Sequence, residues 1–107
     1  MSHSYVVILV TTSSKSEAET IAQDLLENKL IACANIIGPV SSHFHWEKKV
    51  ERAEEYLVLI KSRLDLFDAV SDRVKALHSY ETPEILALPL VAVSKAYFDW
   101  LETSLRS

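Results

Sequence analysis

Three features of this sequence predict an α+β fold, a ferredoxin-like split β-α-β sandwich with one further helix at its C-terminal end. Four apolar runs alternate with amphipathic patterns in the order strand, helix, strand, strand, helix, strand, helix. With right-handed crossovers, that order gives a four-stranded antiparallel sheet carrying two helices on one face. The second feature is length, because 107 residues form one domain spanning 1–107 and leave no room for another. The third is balance: 49% apolar and 24% charged residues describe a globular chain with a core, not a disordered or fibrous one.

The first strand is read over Tyr5 to Val10, an unbroken run of β-formers that ends in a Thr/Ser cluster. Ser14 and Glu17 then make a capping box, in which the hydroxyl accepts from an orphan N–H and the carboxylate reaches back. Ala18, Ile21, Ala22 and Leu25 follow at helical spacing and Asn28 is the terminator. Leu30 to Ile37 is the second apolar run, punctuated by Gly38-Pro39. Ser41 to Trp46 alternates polar and aromatic residues, and Glu47 to Glu55 reads as the exposed tip of a hairpin. Tyr56 to Ile60 is the third run.

Ser62 and Asp65 suggest a second cap, and Phe67, Val70, Val74 and Leu77 form the apolar stripe of a second helix. Pro83 forces Thr82 away from helical geometry. The fourth run extends from Ile85 to Val93 and contains Pro89, which lacks an N–H and places the strand at an edge or breaks it there. Ser94 is positioned to cap a last short helix whose stripe is Tyr97, Trp100, Leu101 and Leu105.

Composition removes several function classes. A net charge of −4, without a block of either sign, disfavours a partner whose phosphates must be neutralised, so no nucleic acid is expected. The single glycine, Gly38, rules out both glycine-rich phosphate loops. No apolar run approaches the roughly 18 to 20 residues that span a bilayer, so no membrane association is expected. One cysteine, Cys33, forms no internal disulfide, and no charged segment leads into a cleavable apolar stretch, which points to the cytoplasm.

The densest chemistry lies in Leu77-His78-Ser79-Tyr80-Glu81-Thr82-Pro83-Glu84, where a helical pattern gives way to the last strand. His78 has two readings, a helix-terminating residue favoured near carbonyl ends or a metal ligand. His43 and His45 share a strand face and would need a third ligand to hold a metal. Cys33, flanked by alanines, reads as a small hydrophobe, because the C-x-x-C pair of a thiol metal carrier is absent. Trp46, Tyr80 and Trp100 read as core or interface aromatics. Glu81 and Glu84 are an acid/base pair without an assured nucleophile, so no catalytic residue is assigned. The alternative is a small-molecule enzyme built on His78, Tyr80, Glu81 and Glu84.

All four strands read as buried on both faces, yet this topology covers only one of them with its main helices. A short third helix cannot hide the rest, and a bare apolar sheet face is an association surface. An obligate oligomer follows, with sheet faces packed together.

Five segments carry a family resemblance: Ala32-Cys33-Ala34-Asn35-Ile36; Ser42-x-Phe44-x-Trp46-Glu47; Glu54 to Lys61; His78-x-Tyr80-Glu81-x-Pro83-Glu84-Ile85; and Tyr97-x-x-Trp100. Together, in this order and at this spacing, they resemble the CutA family of divalent-cation tolerance proteins across nearly the whole chain. The resemblance implies a PII-like homotrimer of ferredoxin-like protomers with no enzymatic reaction. Cu(II) or another divalent cation, or a small ligand, is its implied occupant, at clefts between protomers; the alternative is PII-like signalling without a metal. The copper ligands proposed for some bacterial members fall here on Val10, Leu77 and His78, of which only His78 keeps a ligating side chain. Lys48, Ser79 and Val93 also depart from the family pattern, at loop positions where glycine, proline and glycine are common.

Overall fold

A computed structural model describes residues 4–107. The chain forms β1 (Tyr5–Thr12), α1 (Lys15–Glu27), β2 (Cys33–Trp46), β3 (Lys49–Arg63), a 3-10 turn (Leu64–Leu66), α2 (Phe67–Leu77), β4 (Ile85–Pro89) and α3 (Lys95–Ser104). The strands make one sheet in the order β2-β3-β1-β4, with every neighbouring pair antiparallel. β3 thus lies between β1 and β2, as the split β-α-β arrangement requires. The result is a mixed α+β fold of a four-stranded sheet and three helices.

The core is set by the two-residue period of the strands meeting the longer period of the helices. Val6, Ile8 and Val10 of β1 and Val58 and Ile60 of β3 are buried on one face, paired as Ile8 with Ile60 and Val10 with Val58. Ala18, Ile21, Ala22 and Leu25 of α1 and Val70 and Val74 of α2 close over them. Arg73 of α2 grips Asp24 of α1 through Nε and Nη2, at 3.0 and 2.6 Å, and ties the two helices together. The Ser14 cap forms as expected, its Oγ accepting from the Glu17 amide at 3.1 Å. The returning Glu17 carboxylate accepts from the amide of Ser13 instead of Ser14, at 3.2 Å.

Several expectations give way to the geometry. Leu30 to Ala32 precede β2 as buried connecting residues, and the strand runs on through Gly38-Pro39 to Trp46. It absorbs those two residues as an irregularity in pairing between Ile37 and Val40, with a cis Gly38-Pro39 peptide. A Cβ on Gly38 would collide with the ring of Tyr56, so the only glycine marks a close approach of side chain to backbone, not a turn. The hairpin tip is only Glu47-Lys48, both with positive φ, and Lys49 to Glu55 are already strand. Short-range charge in that segment concealed a β-ladder whose side chains mostly face water, with Ala53 half-buried and Glu55 buried.

Ser62 is not a cap. It is buried inside β3, where its Oγ donates to the Leu30 carbonyl at 2.6 Å, and the following 3-10 turn has no side-chain cap. β4 does lie at the sheet edge, but it stops at Pro89, and Leu90 to Val93 leave the ladder. Ser94 occupies the N-cap position of α3 without a capping side-chain bond.

The opposite sheet face is only partly covered. α3 closes the end near Tyr5, where Phe98 packs edge-on at 5.0 Å between centroids and the carbonyl of Arg106 accepts from Arg63 at 3.0 Å. Beyond α3 the face displays Val7 and Leu9 of β1, Leu57 and Leu59 of β3, and Leu86 and Leu88 of β4, the last two 41% and 51% exposed. Of the last helix's predicted stripe, Leu101 and Leu105 are buried while Tyr97 and Trp100 remain exposed.

Candidate functional site

The loop after α2 is locked to the sheet by its histidine. His78 ends the helix in an extended conformation, and its Nε2 lies 2.7 Å from the Thr11 carbonyl while its Nδ1 lies 3.0 Å from the Tyr80 amide. A carbonyl only accepts and an amide only donates, so the ring is the neutral tautomer with its proton on Nε2. Both nitrogens are engaged within the protomer. The ring also sits 4.8 Å from that of Tyr80, tilted by 47°.

Glu17 makes the second tie. Beyond accepting from Ser13 at the start of α1, its carboxylate accepts from the Ser79 amide at 2.7 Å. Burial pushes its pKa up, but hydrogen bonds from Ser79 and Ser13 outweigh this and hold it below the ordinary value. A depressed carboxyl contributes stability above its unfolded pKa, and the contribution disappears as pH falls through the folded one. Wild-type protein should therefore lose urea resistance as pH falls from neutral through the ordinary carboxylate range and below it, and Glu17→Gln should show a shallower fall over the same range. Parallel pH profiles in the two proteins would contradict this role.

Tyr80 points the other way, into a cleft of about 840 Å³ between the β2–β3 hairpin and the loop. Its hydroxyl donates to Glu55 Oε2 at 2.8 Å. Burial, then the hydrogen bond and charge of Glu55, push the Tyr80 phenol up to about 12, so it remains a donor at neutral pH. Glu55 itself is only 6% exposed. Phe44 and Trp46 line the hairpin side of the cleft with Glu51 and Arg52, and Thr82, Pro83 and the exposed Glu81 and Glu84 line the loop side. Trp46 is 59% exposed, an aromatic surface offered to whatever enters.

Trp46, Tyr80, Glu81 and Glu84 therefore share one cleft, which His78 braces from outside its lining. Of the other candidates only His43 also lines this cleft, from the hairpin. Val10 is fully buried in the core and Leu77 packs against it, so neither position offers a ligand beside His78. His43 and His45 are exposed on the hairpin, with His43 Nε2 3.1 Å from Ser41 Oγ. Among the described residues no three His, Cys, Asp or Glu side chains converge to hold a metal ion, so the residues of one chain do not fit a closed metal centre. Cys33 is half-buried rather than enclosed, 4.0 Å from the Lys61 ammonium on the open sheet face. Trp100 stacks obliquely on Tyr97 at 5.3 Å, away from the cleft.

Glu55 and Glu17 escaped the sequence reading. Glu55 had a faint signal, a carboxylate one step ahead of an apolar strand and in phase with Leu57 and Leu59. Glu17 reads in the sequence as a capping residue alone, and its bond to the Ser79 amide spans 62 residues.

The comparisons agree with this architecture. The model of the CutA1 divalent ion tolerance protein family matches residues 6–104. A relative from Archaeoglobus fulgidus, the divalent-cation tolerance protein CutA, is 47% identical over 95 residues, covering 89% of this chain and 92% of its own. The solved structure of the divalent cation tolerance protein Cut A1 from Thermus thermophilus superposes with a TM-score of 0.93 at 39% identity, over 95% of this chain and 99% of that one. CutA1 from Oryza sativa gives a TM-score of 0.94 at 38% identity, over 97% and 95% of the two chains. No helix among the described residues is long and apolar enough to cross a membrane. With a family model spanning almost its full length, this chain belongs to the CutA1 divalent ion tolerance protein family.

Proposed function

We propose that this protein serves divalent-cation tolerance as a non-enzymatic, PII-like homotrimer of ferredoxin-like protomers in the cytoplasm, with its ligand sites in clefts where protomers meet. The observation that carries the assembly is the open sheet face, where Leu86, Leu88, Leu57, Leu59, Val7 and Leu9 form an apolar surface only partly covered by α3. Family membership supports the cellular role. The non-enzymatic reading rests on the site's own chemistry: His78 has both nitrogens engaged and Tyr80 is held protonated, which leaves neither as a base at neutral pH.

Light scattering after gel filtration tests the assembly. The expected mass is three times the 12.1 kDa of the chain. Leu88→Glu places a charge in the middle of the proposed contact and should release monomers with unchanged far-UV circular dichroism. A wild-type monomer at micromolar concentration would remove the assembly.

Cu(II) or another divalent cation belongs to the proposal as a ligand shared between chains, because a single protomer does not supply three converging ligands. His78 contributes only if the ion displaces its bond to Thr11 or to Tyr80. Calorimetric titration of Cu(II) into wild type and His78→Ala separates the cases, since equal affinities retire His78 as a ligand. The same engaged nitrogens favour a second reading, PII-like signalling in which the cleft answers to a small molecule without a metal.

A further inference from the structure

We propose that α3 is a strap that opens as one unit, swinging on Val91 to Val93 when Arg106 releases the end of α1, while the sheet and the other two helices stay folded. Little within the helix holds it. Its 10 residues fall short of the roughly 12 to 15 at which a helix is even marginal on its own. Ser94 makes no capping bond, Lys95 stands at the positive end of the helix dipole and Glu102 near the negative end, each the reverse of the stabilising order. The Lys95–Asp99 pair, at 2.9 Å, is exposed and runs from base to acid, the weaker direction. The hydroxyls of Thr103 and Ser104, both donating to the Trp100 carbonyl, tighten the last turn.

The helix therefore depends on its seat, and the seat is narrow. Leu101 is its one buried residue, with Leu105 just beyond it and Phe98 set edge-on to Tyr5. At that seat lies Tyr5 Oη, enclosed and without a hydrogen-bond partner among the described residues. Arg63 and Glu102 stand close enough to act on this phenol electrostatically, but Arg63 is engaged by Asp65 and by the Arg106 carbonyl. A buried hydroxyl left unpaired costs free energy that water returns once the helix lifts. Lifting α3 thus hydrates Tyr5 and bares apolar surface in phase with Val7 and Leu9, which lengthens the open sheet face.

The two ends of the strap are built differently. Arg106 is the clasp: its N–H donates to the Lys29 carbonyl at 2.9 Å, and its Nε and Nη2 donate to the Asn28 carbonyl at 3.2 and 3.0 Å. A guanidinium on the last carbonyls of α1 also suits that helix's dipole. At the other end the final tie is the Leu90 amide, which donates to the Tyr5 carbonyl at 2.9 Å. Beyond it Val91 is 97% exposed and the chain has left the ladder, so this segment can turn without breaking the sheet.

Native-state hydrogen exchange on the full chain, in urea below the unfolding midpoint, tests the strap. Amides of Phe98 to Leu105 are expected to exchange at least about tenfold faster than the slowest amides of α1 and α2, with a shallower urea dependence, because lifting one helix exposes less surface than unfolding. Arg106→Ala keeps the backbone tie but removes both bonds to Asn28, and should speed exchange in α3 about threefold while the Glu47-Lys48 tip keeps its rates. Tyr5→Phe deletes the unpaired hydroxyl, keeps the ring, and should slow exchange in α3 about fivefold. An α3 that exchanges as slowly as α1 and α2, with the same urea dependence, overturns the proposal. So does unchanged exchange in Arg106→Ala. Unchanged or faster exchange in Tyr5→Phe overturns it too, since the phenol is then paired while the strap is closed. The helices are compared within one sample, so the outcome stands whether the chain is a trimer or a monomer.

Discussion

Ile60→Ala should lower the free energy of unfolding by about 3 kcal/mol, visible as an earlier urea midpoint with the slope unchanged. Ile60 is fully buried on the central strand β3, opposite Ile8 on one side and Ala34 on the other. Its neighbours are held by ladders on both sides of β3, so the sheet cannot close over the space left by the missing methylenes. The cost then contains a cavity contribution in addition to the lost transfer free energy. Wild type and variant must be compared at one protein concentration, because an oligomer's stability depends on it. A loss below about 1 kcal/mol would mean that the helix layer settles into the space, contrary to a rigid sheet.

The second large effect is expected at His78. His78→Ala removes a bond to the Thr11 carbonyl and a bond from the Tyr80 amide, and strands both backbone groups beside the sheet. At about 1 kcal/mol for each net hydrogen bond, the stability loss should be about 2 kcal/mol. Glu84→Ala, at an exposed position in the same loop, should stay within about 0.5 kcal/mol and serves as the control. Thermal or urea unfolding of the three proteins measures the difference. Equal midpoints for His78→Ala and wild type would show that the loop holds its place through Glu17 and Tyr80 alone.

The two effects differ in how far they were readable beforehand. Ile60 belongs to an apolar run whose period and neighbours announce a core strand, and the helix stripes over Ala18 to Leu25 and Phe67 to Leu77 announce what covers it. His78 announced itself by type and position, but two roles competed for it. What the fold contributes is a carbonyl acceptor from Thr11, 67 residues earlier in the chain, at hydrogen-bond distance. Glu55 is the sharper case, because a glutamate in a charged stretch reads as solvated until Tyr80 reaches it across 25 residues. Ser62 erred for the reciprocal reason: a hydroxyl ahead of a helix resembles a cap, while the buried Leu30 carbonyl claims it.

By itself, then, the sequence determined the kinds and order of the elements, the apolar faces of the strands, and the family whose markers it carries. These depend on periodicity and short motifs, in which each residue is read against neighbours a few positions away. Only the tertiary structure decided the length of the hairpin, the end of β4 at Pro89, the brace made by His78, and the burial of Glu55 in the cleft. Those features depend on strand register and on which distant donor meets which acceptor, and no local pattern encodes that pairing.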